Sequence, residues 1–276
     1  AAIRLNKFDG ETGNSDFQVT GNLDNFYGFI FKDQVLKGNF NLNSRQFEVA
    51  DFMETKTDTS AAKTTKEALK IPSFLDVTIS AKATTVVYDN LNLKEVSGNL
   101  AIKDEAVNLS NLKMNVFGGQ IALSGMVSTK EKTPKFTMDL GLNSLNISES
   151  FTQLAMLKAI APIANAVMGK LNSNIKLSGN LTDDMTPDLK TITGNLIGQL
   201  LGSKLSPANS PLLTSLASNI KFLDLEKLNL DKLKMILSFK DGKVNVKPFD
   251  IKYQDITVNV GGTHGFDQTM NYNLKL

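Results

Sequence analysis

The stretch GNLAIKDEAVNLSNLKMNVFGGQIALSG, Gly98 to Gly125, carries an apolar side chain at nearly every second position. Leu100 and Ile102 are followed by Val107 and Leu109, then Leu112, Met114 and Val116, then Ile121 and Leu123, with Ala, Lys, Asn and Ser between them. Successive side chains of a strand point to opposite faces, so a period of two specifies strands with one apolar and one wet face. A chain patterned this way must cover the apolar face with a second sheet, with helices, or with something that is not protein.

The pattern recurs. LKMILSFKDGKVNVKPFDIKYQDITVNVGG, Leu233 to Gly262, aligns without gaps at an offset of 137 residues, the step from Val107 to Val244. Its apolar places are held by Leu237, Phe239, Val244, Val246, Phe249, Ile251, Tyr253, Val258 and Val260. LKGNFNLNSRQFEVADF, Leu36 to Phe52, aligns at an offset of 60, the step from Phe40 to Leu100, through Phe40, Leu42, Phe47, Val49 and Phe52. IKLSGNLTDD, Ile175 to Asp184, reads as the start of a further copy. Such recurrence indicates a supersecondary unit stacked along one sheet.

Asp241-Gly242, between Phe239 and Val244, is a two-residue hairpin signal, and Lys103-Asp104-Glu105 holds the same place one copy earlier. Gly118-Gly119 marks the next turn. DVTISAKATTVVY, Asp76 to Tyr88, keeps the alternation. Counting such runs gives about a dozen strands, near the upper end for one twisted open sheet. The expected fold is mainly β: a long curved antiparallel meander with repeated units and an apolar inner face, forming a single domain over residues 1–276 with one or two helices packed on it.

Two segments break the alternation. Ser148–Leu171 reads as a helix with Ser148 or Ser150 as N-cap, Pro162 as a kink and Phe151, Leu154, Ile160, Ile163 and Val167 roughly on one side. Ser210–Leu223 reads as a second helix with Ser210 as N-cap and Pro211 at its first position. Glu54–Lys70 is small, polar and aperiodic, and reads as a mobile loop. A helix of about 20 residues covers roughly 30 by 10–12 Å, whereas a dozen strands span nearly 60 Å at ~4.8 Å spacing. Two helices therefore hide only part of the face: either the sheet folds over on itself or an apolar trough stays open.

Little in the chain suggests catalysis. Its 276 residues are 41% hydrophobic and 21% charged, with a formal net charge of +2, ordinary for a globular protein and no reason to bind nucleic acid. There is no cysteine, hence no disulfide and no thiolate metal site. His264 is the only histidine, so no histidine-based metal cluster or triad can be built; after Gly261-Gly262-Thr263 it is expected in an exposed turn. Asp183-Asp184 reads as a loop or helix-start charge rather than an acid pair. Gly118-Gly119 and Gly261-Gly262 read as turn glycines, since neither fits a phosphate-loop spacing. The expectation is no enzyme, no metal and no cofactor. No run of 18 apolar residues is present. The opening AAIRLNKFDG and closing MNYNLKL read as cuts within a longer sheet, which predicts edge-to-edge self-association.

Several stretches together resemble the C-terminal region of AsmA-like proteins, in the form found in Bacteroidetes. They are NVFGGQIALSGMVS (Asn115–Ser128), KFTMDLGLNSLNISESF (Lys135–Phe151), APIANAVMGKLNSNIKLSGNLTDDMTPDL (Ala161–Leu189) and FKDGKVNVKPFDIKYQDITVNVGGTHGFDQTMNYNLKL (Phe239–Leu276). The resemblance covers nearly the whole chain. It implies a periplasmic module of a Gram-negative envelope protein, anchored in the inner membrane by an N-terminal helix absent from this sequence and acting in outer-membrane biogenesis. It further implies a curved sheet whose apolar face conducts phospholipid, with no catalytic residues. The lipid-binding positions implied are the eighteen apolar residues of the two 137-offset copies, Leu100 to Leu123 and Leu237 to Val260. The competing expectation is a scaffold for outer-membrane protein assembly, with that face closed as a core.

Overall fold

The computed structural model describes residues 2–52, 70–154, 162–183, 185–219, 224–267 and 269–275. Among them the chain forms β1 (Ile3–Thr12), β2 (Ser15–Leu23), helix α1 (Phe26–Lys32), β3 (Leu36–Glu48), β4 (Leu75–Tyr88), β5 (Leu91–Lys103), β6 (Ala106–Val116) and β7 (Gly119–Ser128). There follow β8 (Lys135–Asn146), helix α2 (Ile147–Gln153), β9 (Val167–Asn180), β10 (Thr193–Leu205), helix α3 (Pro211–Asn219), β11 (Lys234–Lys240), β12 (Lys243–Tyr253), β13 (Ile256–Gly265) and β14 (Met270–Lys275). The fourteen strands belong to one open sheet whose strand order is the chain order. The mainly-β meander expected from the alternation is what forms.

The 137-residue repeat holds to the residue. β6 and β12 start and end at matching positions, and so do β7 and β13. Both copies turn through a two-residue hairpin, with Lys103 opposite Ala106 and Lys240 opposite Lys243. The turn residues Asp104 (φ 52°) and Glu105 (φ 58°), and Asp241 (φ 50°) and Gly242 (φ 70°), are left-handed, as a type I′ turn requires. The later copy has a glycine there; the earlier one accepts the left-handed conformation at Glu105.

The 60-residue copy does not hold. Its hairpin would fall at Ser44-Arg45, yet β3 runs unbroken through them. Asp16 explains this. Its carboxylate accepts hydrogen bonds from the backbone N–H of Arg45 (2.8 Å) and Gln46 (2.9 Å), from Ser44 Oγ (3.2 Å) and from Arg45 Nε (2.5 Å), so it satisfies donors just beyond the β2–β3 ladder. β3 also pairs with β4 in parallel, Leu36 opposite Leu75 and Phe40 opposite Ile79, so the sheet is not antiparallel throughout. Alternation reports which face a side chain takes and not the strand direction. A parallel neighbour requires a crossover of a dozen or more residues, which 49–74 supply. Of the expected mobile loop, residues 54–69 lie outside the described residues.

Other expectations need correction. Gly261 and Gly262 lie inside β13, not in a turn, and His264 is a buried strand residue opposite Val244, with Nδ1 2.8 Å from the Tyr272 hydroxyl. The glycine is needed because the next strand approaches closely. A Cβ on Gly262 would stand 2.3 Å from the Asn271 carbonyl oxygen, and one on Gly125, its repeat equivalent, 2.3 Å from that of Thr137. Of the expected Ser148–Leu171 helix, the described N-terminal part is α2, capped by Asn146, whose side chain accepts from Glu149 N–H. A 3-10 turn covers Pro162–Ala166, and Val167–Leu171 already belongs to β9. Residues 155–161, with Ile160, lie outside the described residues. The second helix starts as expected, with Ser210 Oγ accepting from Leu213 N–H at 3.4 Å, and spans Pro211–Asn219. Residues 220–223 lie outside the described residues.

The fold divides into two compact units. The first holds residues 1–116, 122–138 and 180–188, and the second 117–121, 139–179 and 189–276. Among the described residues, only six of the buried apolar side chains, Val77, Leu91, Ala106, Met114, Phe136 and Leu181, fall in the first unit.

Gly262→Ala is expected to lower stability by about 1–3 kcal/mol, because backbone must move to admit the methyl group. The midpoint of urea unfolding measures it. Asp16 is held below the ordinary carboxylate range first by the Gln46 N–H and then by the Arg45 guanidinium. Because the folded form has the lowered pKa, the clasp contributes fully above about pH 4 and is lost as pH falls through the native value. Unfolding midpoints between pH 5 and 2 are expected to fall less steeply for Asp16→Asn than for the unaltered chain.

Candidate functional site

Cross-strand pairing extends the apolar positions into rows. In the first unit one row is Ile3, Leu23, Gly38, Val77, Ile102 and Val107, each opposite the next on the neighbouring strand. The adjacent row is Leu5, Gly21, Phe40, Ile79, Leu100 and Leu109. The reverse face is polar and exposed: Thr78 Oγ1 donates to Asn39 Oδ1, Ser80 Oγ to Asn99 Oδ1 at 2.7 Å, and Lys103 meets Asp76 at 3.2 Å. A sheet with one face wet and polar must place its apolar face against something drier.

The apolar pattern slips phase once in each copy, from Leu109 to Leu112 and from Val246 to Phe249. The structure shows why the face survives the slip. The β5–β6 register shifts between Ser97 and Asn99, with Asn111 left-handed (φ 52°), and the β12–β13 register shifts between Val246 and Phe249. A bulge adds one residue and returns Leu112, Met114 and Val116 to the side of Val107 and Leu109. The phase break is visible in the sequence and is the signal of the bulge.

Equivalent positions meet different surroundings. In the earlier copy Met114 is buried, whereas Leu100, Ile102, Val107, Leu109, Leu112, Val116, Ile121 and Leu123 are half-buried. In the later copy Leu237, Phe239, Val244, Val246, Tyr253 and Val258 are buried, and Phe249, Ile251 and Val260 are half-buried. Val244 is 0% exposed. The eighteen positions therefore do not form one uniform site.

Burial at Tyr253 and Ile251 has a local cause. Ile147 and Phe151 of α2, Leu213 of α3 and Leu225, Leu228 and Leu230 pack with Leu200 and Tyr253 in one buried cluster, and Met235, Ile251 and Ile256 lie against it. The Tyr253 hydroxyl accepts from Asp224 N–H at 3.3 Å, which satisfies the one polar atom of that side chain. The Phe151, Leu154 and Val167 side expected to plug the sheet does so in part: Phe151 is in the cluster and Val167 packs on it. No residue of the first unit belongs to this cluster.

Polar chemistry is sparse. Among the described residues there is no group of three or more His, Asp or Glu side chains placed to hold a metal ion, and no helix is long and apolar enough to cross a membrane. A concavity of about 690 Å³ lies over Asp16 and Arg45, lined by Asp9, Glu11, Phe17 and Asn43 among others. Comparison with protein-family models, with curated proteins and with solved structures finds no match.

The repeat supplies its own controlled experiment. Val244→Asp buries an unpartnered carboxylate and is expected to cost several kcal/mol, enough to unfold the second unit. Val107→Asp, at the equivalent position, leaves the carboxylate within reach of water and is expected to cost about 1 kcal/mol or less. Thermal melting of the two variants side by side measures the difference.

Proposed function

We propose that the chain is a non-enzymatic, lipid-handling module, and that the apolar face of its first unit binds phospholipid acyl chains while head groups stay in water. The observation that carries this reading is the contrast between the two repeat copies. Six of the nine apolar positions are buried in the later copy, against Met114 alone in the earlier one, where the other eight are half-buried. Rows of apolar side chains running across β1 to β6 offer repeated, equivalent contacts to a hydrocarbon chain. Burying one methylene is worth about 0.8 kcal/mol, so a 16-carbon chain gains on the order of 12 kcal/mol before ordering costs. Spread over repeated shallow contacts, that gain suits sliding better than tight capture.

The resemblance to AsmA-like proteins supports the same reading. It adds a periplasmic location, a parent chain anchored in the inner membrane and a role in outer-membrane biogenesis. The scaffold reading, with the face closed as a core, is favoured by the second unit, where six of the nine equivalent positions are buried. The two readings thus divide between the units: the second supports, and the first carries lipid. β1 and β14 stand at the sheet edges, and edge-to-edge self-association through them remains part of the proposal.

Leu112→Asp tests it. The variant is expected to fold with a modest loss of melting temperature and to lose co-purifying phospholipid, measured by mass spectrometry of an organic extract. Lys113→Asp, on the wet face, is expected to change neither. A collapsed melt for Leu112→Asp beside a normal control would show that the face is a closed core.

A further inference from the structure

Helix α1 is built inside out. Its sequence FYGFIFK has one buried residue, Gly28, while Phe26 is 38% exposed, Tyr27 55%, Ile30 51% and Phe31 68%. The protein-facing contact is polar. Asn25 Nδ2 donates to Gln34 Oε1 (3.2 Å) and to the Val35 carbonyl (3.1 Å), and Gln34 N–H donates to the Gly28 carbonyl (3.1 Å). A Cβ at Gly28 would stand 2.4 Å from Asn25 Oδ1 and 2.3 Å from Gln34 Oε1, so a larger residue would displace these amide groups. The bond network fixes the backbone and turns the aromatic side chains outward. A helix apolar on nearly all sides belongs in an apolar medium.

We propose that α1 is a docking element that inserts into the interface of a phospholipid bilayer. Tyr27 and Phe31 pack at 4.8 Å with tilted rings, and Phe29 packs on Phe74, itself 49% exposed, at 5.6 Å, so two aromatic pairs make up the apolar patch of this short helix. Lys32 lies 5.9 Å from the Tyr27 ring centre, giving the patch an amphipathic rim of one hydroxyl and one ammonium. The area decides between occupants. Five side chains with these exposures present about 500 Å² at ~200 Å² each. That is at the upper end of what a monomer leaves in water, yet below the ~800 Å² per partner of a stable protein pair. Insertion of a few aromatics to a depth of ~5–10 Å needs no more than this. Charge adds nothing: Asp24, Lys32, Asp33 and Lys37 around the helix cancel, so a zwitterionic bilayer suffices. Placement fits as well. α1 joins β2 to β3 at the strand end where the row Ile3, Leu23, Gly38, Val77 runs, so a docked bilayer would adjoin the apolar face. That link to lipid handling rests on the acyl-chain reading; the docking itself does not.

The chain has no tryptophan, so Phe31→Trp provides a single reporter at the most exposed position. With phosphatidylcholine vesicles its emission is expected to shift to the blue and to be quenched by brominated acyl chains, with little dependence on salt. Phe31→Ser is expected to weaken vesicle co-sedimentation at least ten-fold while leaving the melt and the extracted lipid unchanged. An emission unaltered by vesicles overturns the proposal. So does a blue shift that appears without vesicles and grows with protein concentration, since a second copy would then cover the patch. Vesicle binding by a chain that carries no extractable lipid would uphold docking and reject the acyl-chain reading.

Discussion

The structure depends on one constraint: a sheet with an apolar face must have that face covered, and its own strands cannot cover it. Each strand satisfies its backbone against its neighbours, and pairing in chain order extends this across fourteen strands. That leaves a long surface on which every second side chain is apolar. The bulges at Asn111 and near Pro248 matter because they keep the surface one-sided where the sequence slips phase. Without them Leu112, Met114 and Val116 would face water with the lysines. The cost of a one-residue slip is the inversion of a whole strand.

The two units meet this constraint differently. In the second, α2, α3 and the Leu225–Leu230 segment contribute leucines, Ile147 and Phe151 that pack with Tyr253 and Ile251, and six of the nine repeat positions are buried. In the first, the repeat positions other than Met114 stay half-buried, and Phe26, Tyr27, Ile30 and Phe31 of α1 are exposed. Ion pairs do not alter this balance. Lys7–Asp9, Lys103–Asp76 and Lys135–Glu131 are surface pairs in which at least one side chain is more than half exposed, and such pairs contribute little. Apolar area decides both the stability of one unit and the proposed ligand of the other.

Much of the fold was legible. The type I′ turns at Asp104-Glu105 and Asp241-Gly242, the matched ends of β6 and β12, and the start of α3 at Ser210-Pro211 all follow from local chemistry. The failures share a cause. The parallel pairing of β3 with β4, the unbroken run of β3 through Ser44-Arg45, the strand at Val167–Leu171 and the burial of His264 are each set by a residue distant in sequence. Asp16 reaches Arg45, Lys204 pairs with Met168, and Val244 stands opposite His264. Helix α1 has only a short sequence signal, Asn25 ahead of an aromatic run and Asp33 behind it, where the structure places the left-handed C-cap.

By itself the sequence determined that the chain is a meander of one-faced strands, that Gly98–Gly125 and Met235–Gly262 build the same unit, and that neither a cluster of histidines nor a thiolate site can form within it. These follow from periodicity, turn residues and composition, which act over a few neighbouring residues. Only the tertiary structure decided which copy of the apolar pattern is sealed and which stays half-open. Burial belongs to what lies opposite a face, and the helices that supply it at Tyr253 come from segments as far back as Ile147. Val107 and Val244 are the same residue in the same repeat, yet one is half-exposed and the other is not exposed at all.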